Sequence, residues 1–153
     1  MKLAHAVPLL ALAALLGCVT TKPLTQSDAL SITAKTFGEP RPTYILEVRN
    51  ADNAISTAMM RAFLPSDAPI VTNVVSAIRL SNAKGGNLTV FGSDSGLTAQ
   101  VIVAAFAQAP ADLSRLQFLF VGDSEHAQQA RTAVEAHGAR FFFAPVPAAG
   151  AAR

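Results

Sequence analysis

Between residues 43 and 143 the chain alternates short apolar runs with longer segments whose apolar residues recur at helical spacing. Short apolar runs bounded by Gly, Pro or Asn are typical of buried strands, and apolar residues at every third or fourth position are typical of helices. Because strands that alternate with helices join into a mostly parallel sheet, this pattern restricts the chain to α/β folds. We therefore predict a small, mostly parallel four-stranded sheet flanked by helices, within a domain of residues 43–146.

The predicted element order is strand, helix, helix, strand, helix, strand, helix, strand. The strands are predicted at residues 44–49, 88–91, 116–121 and 140–143. The last two helices are predicted over residues 97–109 and from Gly122-Asp123-Ser124 to His137, with Gly138 just past the end.

The first two helices are predicted from apolar stripes and from residues that start or stop a helix. The first stripe contains Ile55, Met59, Phe63 and Leu64, and both Met59 and Met60 are expected to fill the core. Asp52 or Asn53 can cap this helix, and Pro65 can stop it. The second stripe contains Val71, Val74, Val75 and Ile78. Ser66 or Asp67 could start it, and Gly85-Gly86 would end it. A helix is favoured for this second segment, although its β-branched residues leave a strand open.

The amino-terminal segment has the three parts of a secretory signal peptide in the right order. Lys2 supplies positive charge, residues 7–16 are apolar, and the small Gly17 precedes Cys18. The apolar run is too short to span a bilayer, which needs about 20 residues. We therefore predict that residues 1–17 are a signal peptide, removed by cleavage between Gly17 and Cys18.

The motif at this cleavage point, Leu15-Leu16-Gly17-Cys18, resembles the lipobox of bacterial lipoproteins. The resemblance implies that the sulfur of Cys18 receives a diacylglyceryl group and that the new amino end is acylated, so that the protein is bound to a membrane through this lipid. Val19 follows the cysteine, where an Asp often marks retention in the inner membrane of enteric bacteria. The resemblance therefore implies an outer-membrane anchor with the domain facing the periplasm.

The composition restricts the possible partners of the mature chain. Without Lys2, eleven Lys and Arg residues face ten Asp and Glu, a net charge of +1 with no basic cluster, which argues against nucleic-acid binding. Cys18 is the only cysteine, so once it is lipidated no disulfide-linked partner is possible. Residues 18–42 are predicted to be a lipid-anchored flexible tether in which residues 27–34 could form a short element. Residues 147–153 are predicted to be a disordered tail.

Two polar turns join a strand to a helix, Gly92-Ser93-Asp94-Ser95-Gly96 and Gly122-Asp123-Ser124. Because α/β proteins bind ligands at the carboxyl ends of their strands, the possible ligand-binding residues are Asp94, Ser95, Asp123 and Ser124. The two carboxylates could hold Mg²⁺ or Ca²⁺ together with waters. The favoured interpretation is that these residues form tight turns and helix caps, with no metal and no cofactor.

The turn Gly122-Asp123-Ser124 also resembles the nucleophile block of one lipase and esterase family. That chemistry needs a histidine and an orienting acid, which in this family lie downstream as Asp and, three residues later, His. The only later histidines are His126 and His137, and neither follows an Asp by three residues. The two histidines are 11 positions apart, share a helix face and are expected to be solvated. The sequence thus predicts no catalytic residues and no enzyme.

Residues 116–146 are similar to the C-terminal part of small lipoproteins of type IV secretion systems, in particular the cag-pathogenicity-island type. The shared features are a strand ending in Gly122-Asp123, a polar helix, His137-Gly138, a strand and Pro145-Val146; Lys22-Pro23 matches the Lys-Pro-rich start of such proteins. This resemblance implies a non-catalytic structural or interaction component of a cell-envelope assembly, with envelope proteins as partners. The alternative is a periplasmic ligand-binding or metal-dependent domain that uses the edge at Asp94 and Asp123.

Overall fold

The computed structural model describes residues 23–38 and 40–147. Its elements are α1 (Gln26–Phe37), β1 (Thr43–Val48), α2 (Ala54–Ala62), α3 (Pro69–Lys84), β2 (Asn87–Gly92), α4 (Ser95–Phe106), β3 (Gln117–Gly122), α5 (Ser124–Glu135) and β4 (Arg140–Pro145). From β1 onward this is the predicted order, and the predicted α/β fold is confirmed. The predicted signal peptide, Cys18 and all of the predicted tail except Pro147 lie outside the described residues.

The four strands form one parallel sheet whose spatial order, β1-β2-β3-β4, is the same as their order along the chain. The register aligns Leu88 of β2 with Tyr44 of β1 and with Phe118 of β3, and Phe118 with Phe141 of β4. Strand β2 is buried along its whole length and β3 is buried from Phe118 onward. Parallel strands covered on both faces have this apolar character, which is why the central strands are the clearest in the sequence.

Both faces of the sheet are covered, but by different parts of the chain. One face packs against α3, α4 and α5, and its core includes Val90, Phe118 and Phe120 with Ile78 and Phe106. Right-handed crossovers between strands that are added in one direction place all their helices on the same side of the sheet. The opposite face, with Phe91, Leu119 and Val121, would be left open by these crossovers, and α1 covers it.

Helix α1 corrects the prediction of a flexible tether at residues 18–42, because residues 24–37 are packed against the domain. Thr25 and Asp28 form a reciprocal capping box at its start, and Gly38 ends it in the left-handed conformation, with φ of 61°. Ala29 is fully buried, and the Thr33 and Thr89 hydroxyl oxygens lie 2.9 Å apart. The short element considered at residues 27–34 is therefore a helix of 12 residues that belongs to the fold.

Helix α2 corrects the prediction that both Met59 and Met60 fill the core. Asn53 caps the helix as predicted, accepting a hydrogen bond of 2.8 Å from the Ser56 amide. Met60 packs against the core, but Met59 is exposed and does not fill it. Helical spacing indicates which residues share a face, and it does not indicate whether that face points inward. Thr57 and Met60 point inward together with Leu64, the one residue of the predicted stripe that packs against the core.

The segment for which a helix was favoured over a strand is helix α3, and its stripe of Val71, Val74, Val75 and Ile78 is buried. The predicted start at Ser66 or Asp67 is wrong, because the helix begins at Pro69 after an Ala68 that makes no side-chain cap. Proline fits the first helical position because the amide hydrogen that it lacks has no partner there. Gly85 ends the helix as predicted, with φ of 60°. Within the described residues no helix is both long and apolar enough to cross a bilayer.

Candidate functional site

The carboxyl ends of the strands bring the two polar turns together at one edge of the sheet. Phe91 of β2 is aligned with Val121 of β3, so the turns that follow these strands lie side by side. Asp94 stands at the N-cap of α4 and Asp123 at the N-cap of α5. Ser95 and Ser124 are the first residues of these helices, and Ser95 is buried whereas Ser124 is exposed.

Asp94 is engaged by two contacts within the fold. Its Oδ1 accepts a hydrogen bond of 2.7 Å from the Leu97 amide, which confirms the predicted cap of α4. Its Oδ2 lies 3.6 Å from Nη1 of Arg61 in α2, an ion pair whose arginine side chain is partly exposed. Such an exposed pair contributes at most about 1 kcal/mol. Asp94 therefore connects the start of α4 to α2.

Ser95 connects the two turns directly. Its Oγ accepts a hydrogen bond of 3.0 Å from the backbone amide of Asp123. The side chain of Asp123 makes no capping bond to α5, so the prediction that it caps this helix through its carboxylate is wrong. The Ser95 hydroxyl satisfies the amide of the N-cap residue Asp123 and does not replace a side-chain cap at the first turn of α5. This hydrogen bond therefore connects the start of α4 to the start of α5.

Glycines allow this close approach of the turns. A Cβ at Gly122 would lie 3.1 Å from Ser95 Oγ and would overlap the Phe120 ring. A Cβ at Gly92 would lie 2.5 Å from the Val48 carbonyl oxygen. The glycines that end β2 and β3 are thus required by packing, since a side chain at either position would separate the elements that meet at this edge.

The two acidic residues line different depressions. Asp123 lines a cavity of about 140 Å³ together with Ser93, Ser95 and the amino-terminal Pro23 and Leu24. Asp94 instead lies in a separate pocket of about 390 Å³ on the α2 side, together with Arg61 and Asn53. A shared metal site would need both carboxylates to point into one space. In the described part of the chain, no cluster of three or more His, Cys, Asp and Glu residues could hold a metal ion.

No protein-family model, curated protein or solved structure matches the chain. A buried serine, a capping aspartate and an ion pair are each engaged in contacts that position helices.

The side chains of the two described histidines, His126 and His137, make no contact with this edge that would form a proton relay. Nε2 of His126 lies 3.0 Å from Glu125 Oε1. Nδ1 of His137 lies 2.9 Å from the Pro110 carbonyl oxygen, and its ring packs edge-on against Phe106 at 5.8 Å. The expectation that both are simply solvated is therefore wrong for His137, which connects the end of α5 to the loop after α4.

Arg61 is the residue that sequence reasoning missed. It is the only charged residue of α2, and its guanidinium covers Gly96, where a Cβ would lie 2.5 Å from Nη2. No local signal in the sequence identified it, because a single Arg in a helix is ordinarily an exposed residue. The partner, Asp94, lies 33 positions away in the sequence, and only the fold brings the two residues together.

The two aspartates should differ in their effect on stability. Asp94→Ala is expected to lower the free energy of unfolding by about 1 kcal/mol, because it removes a helix cap. Asp123→Ala is expected to change it by less than about 0.5 kcal/mol, because the side chain is exposed and makes no capping bond. Urea unfolding midpoints with an unchanged slope would measure both. Equal losses for the two variants would contradict the structural roles given to them.

Proposed function

We propose that the protein is a lipoprotein of the outer membrane, anchored through lipid on Cys18, whose α/β domain is a non-catalytic structural or interaction component of a cell-envelope assembly. One observation carries the proposal: the motif Leu15-Leu16-Gly17-Cys18 follows a short apolar run and ends at the only cysteine of the chain. Two lipid signals suffice for stable anchoring. The lipoprotein family adds three acyl chains, so the anchor would be almost irreversible.

The interaction role is supported by the way in which the polar groups of the edge are used. Asp94 caps α4 and pairs with Arg61, and Ser95 binds the Asp123 amide. These contacts stabilise the domain and leave no nucleophile next to a base. The resemblance of residues 116–146 to small lipoproteins of type IV secretion systems makes a secretion or conjugation apparatus the assembly that we favour.

The anchor is tested by Cys18→Ser. We expect the variant to lose the mass of the acyl chains from its amino-terminal peptide and to move from the membrane fraction to the soluble fraction. Thr20→Ser is the matched control, since it changes a neighbouring residue and keeps the lipobox. Mass spectrometry of the amino-terminal peptide and fractionation of cells measure the two effects. A Cys18→Ser variant that stays in the membrane fraction would contradict the proposed anchoring through lipid on Cys18.

The interaction role is tested by what co-purifies with the protein. A tag at the carboxyl end, with the outer membrane dissolved in mild detergent, should recover a stoichiometric set of envelope or secretion proteins. The same extraction of Cys18→Ser provides the control, because an unanchored protein should not meet the assembly at the membrane. Recovery of the protein alone after gentle extraction would argue against an assembly.

A second candidate is a ligand-binding or metal-dependent domain, which the cavity beside Ser93, Ser95 and Asp123 favours. A ligand that binds only the folded state raises the melting temperature. This candidate therefore predicts a higher melting temperature with Mg²⁺, Ca²⁺ or an anionic nucleotide, and loss of that rise in Asp123→Asn. The structural role that we favour predicts no change across the same panel.

A further inference from the structure

A pocket of about 390 Å³ lies where β1 ends, apart from the cavity beside Asp123. Its polar lining comes from Asn50 after β1, Arg61 of α2 and Asp94 at the start of α4. Short side chains complete the lining: Ala51, Asn53, Ala54, Thr57 and Ala58. We call this depression the Arg61 pocket. Its volume is within the range of small-molecule sites, about 300–1,000 Å³, and none of these lining residues is an aromatic on which a nucleobase or a sugar could stack.

The two charged groups of the Arg61 pocket keep part of their hydrogen-bonding capacity. The 3.6 Å between Arg61 Nη1 and Asp94 Oδ2 is longer than a hydrogen bond, so the pair is held by charge alone. Asp94 uses its other oxygen, Oδ1, to cap α4. The arginine side chain is 43% exposed, so its planar fork of N–H donors is open to an acceptor from solution. A ligand could therefore bind both groups without breaking a hydrogen bond between them.

Asn50 adds an acceptor that has no partner. Its Oδ1 is buried and accepts no hydrogen bond within the described part of the chain. A buried carbonyl oxygen without a partner costs free energy, so such a group in a folded protein calls for an explanation. Because this oxygen has no hydrogen bond to lose, Asn50 can turn it toward an N–H donor in the pocket at little cost.

The position of Arg61 favours an anionic group beside it. Its guanidinium lies over Gly96 in the first turn of α4, where a Cβ would lie 2.5 Å from Nη2. The amino end of a helix carries partial positive charge, so a cation is disfavoured there unless anions accompany it. Ala54 adds the start of α2 to the lining, and the first amides of a helix have no partner within it. Asp94 is the one carboxylate that faces these positive groups in the pocket.

These groups match one chemical pattern, a carboxylate and an ammonium on the same carbon. The ligand carboxylate would accept two parallel hydrogen bonds from the Arg61 guanidinium. The ammonium would donate to Asp94 Oδ2 and Asn50 Oδ1. Because Arg61 and Asp94 carry opposite charges, the pocket suits a ligand without net charge. We propose that the Arg61 pocket binds a free α-amino acid. This inference goes beyond the proposed function, because it needs neither lipid on Cys18 nor a partner assembly.

The inference is tested by titrating the full-length protein, purified in mild detergent, with the common L-amino acids one at a time. A ligand that binds only the folded state raises the melting temperature, so we expect at least one amino acid to raise it. That amino acid is then compared with the carboxylic acid that lacks its amino group and the amine that lacks its carboxylate; for alanine these are propionate and ethylamine. Each fragment loses one charge-assisted contact and should bind at least about tenfold more weakly in calorimetric titrations.

Two variants locate the bound amino acid. Arg61→Gln removes the guanidinium fork and should weaken binding by about tenfold or more. It should keep the fold, because an exposed ion pair contributes little to stability. Asn50→Ala removes the acceptor without breaking a hydrogen bond to its Oδ1, and it should also weaken binding. Arg79→Gln is the matched control, since Arg79 is an exposed arginine of α3 that does not line the pocket.

A melting temperature that no amino acid changes would overturn the inference. A carboxylic acid that binds as tightly as the amino acid would identify a simple anion site, and full binding by both Arg61→Gln and Asn50→Ala would place the ligand elsewhere; each result also overturns it. Asp123→Asn should leave the titration unchanged, which separates this pocket from the cavity beside Asp123. The acyl mass on Cys18 would be measured on the same samples, so that a failure of the anchor and a failure of the pocket are distinguished.

Discussion

Phe106→Ala is expected to lower the free energy of unfolding by about 3–5 kcal/mol, the cost of emptying a fully buried aromatic site. Phe106 is inaccessible to solvent at the end of α4, and its ring meets Phe118 of β3 edge-on at 5.2 Å. It also meets His137 at 5.8 Å, so one side chain holds α4 to the sheet and to the end of α5. Because a domain of this size is stable by only about 5–15 kcal/mol, the loss is a large part of the total.

The measurement is thermal or urea unfolding of the purified protein, with a fall in melting temperature on the order of 10 °C. Phe63→Ala is the matched control, since it removes the same atoms from an exposed position on α2 and should change stability by less than about 0.5 kcal/mol. If Phe63→Ala proved as costly as Phe106→Ala, Phe63 would have to be buried against another surface of the folded protein in solution.

Gly92→Ala is expected to lower the free energy of unfolding by about 1–3 kcal/mol, because the added methyl group has no space. It would lie 2.5 Å from the Val48 carbonyl oxygen and would overlap the Thr98 hydroxyl. Both neighbours are held in place, since Val48 belongs to β1 and Thr98 Oγ1 donates a hydrogen bond of 2.7 Å to the Asp94 carbonyl oxygen. The strain would therefore fall on the junction of β1, β2 and α4.

Gly96→Ala provides the control within the same turn. The atoms nearest to its new methyl group would be those of the Arg61 guanidinium, the far end of a flexible side chain that can move aside. Alanine is also more favourable than glycine within a helix by about 1 kcal/mol, which offsets the weakened ion pair between Arg61 and Asp94. Urea midpoints should therefore fall clearly for Gly92→Ala and little for Gly96→Ala. Equal falls in the urea midpoint of the two variants would contradict the expected difference between the two positions.

The element order could be predicted because its signals are local. Apolar runs mark the strands, and single residues mark the helix ends through contacts within a few positions. These residues are Asn53 at the start of α2, Gly85 at the end of α3 and Asp94 at the start of α4. Side-chain partners that are distant in sequence could not be predicted. Helix α1 looked like a tether because the surface that it covers is built from strands that come later, as its contact between Thr33 and Thr89 illustrates.

The candidate site was predictable in position but not in function. Parallel strands dictate that Asp94 and Asp123 share an edge, and the structure places them there. That Asp94 turns toward Arg61 while Asp123 lines a separate cavity depends on where α2 packs. The outward direction of Met59 has the same origin, since periodicity is a property of one helix and burial is a property of its neighbours.

The strand order has a consequence for how the chain folds. Thr43 pairs with Asn87, Asn87 with Gln117 and Gln117 with Arg140, so aligned residues are 44, 30 and 23 positions apart. Each loop that must close is shorter than the one before it, which lowers the entropic barrier to each later pairing. A chain that emerges amino end first can thus add one βα unit at a time. Helix α1 is the exception, because Phe37 packs on Phe142 of β4. Helix α1 precedes the four strands of the described chain and is therefore the last element to complete its contacts.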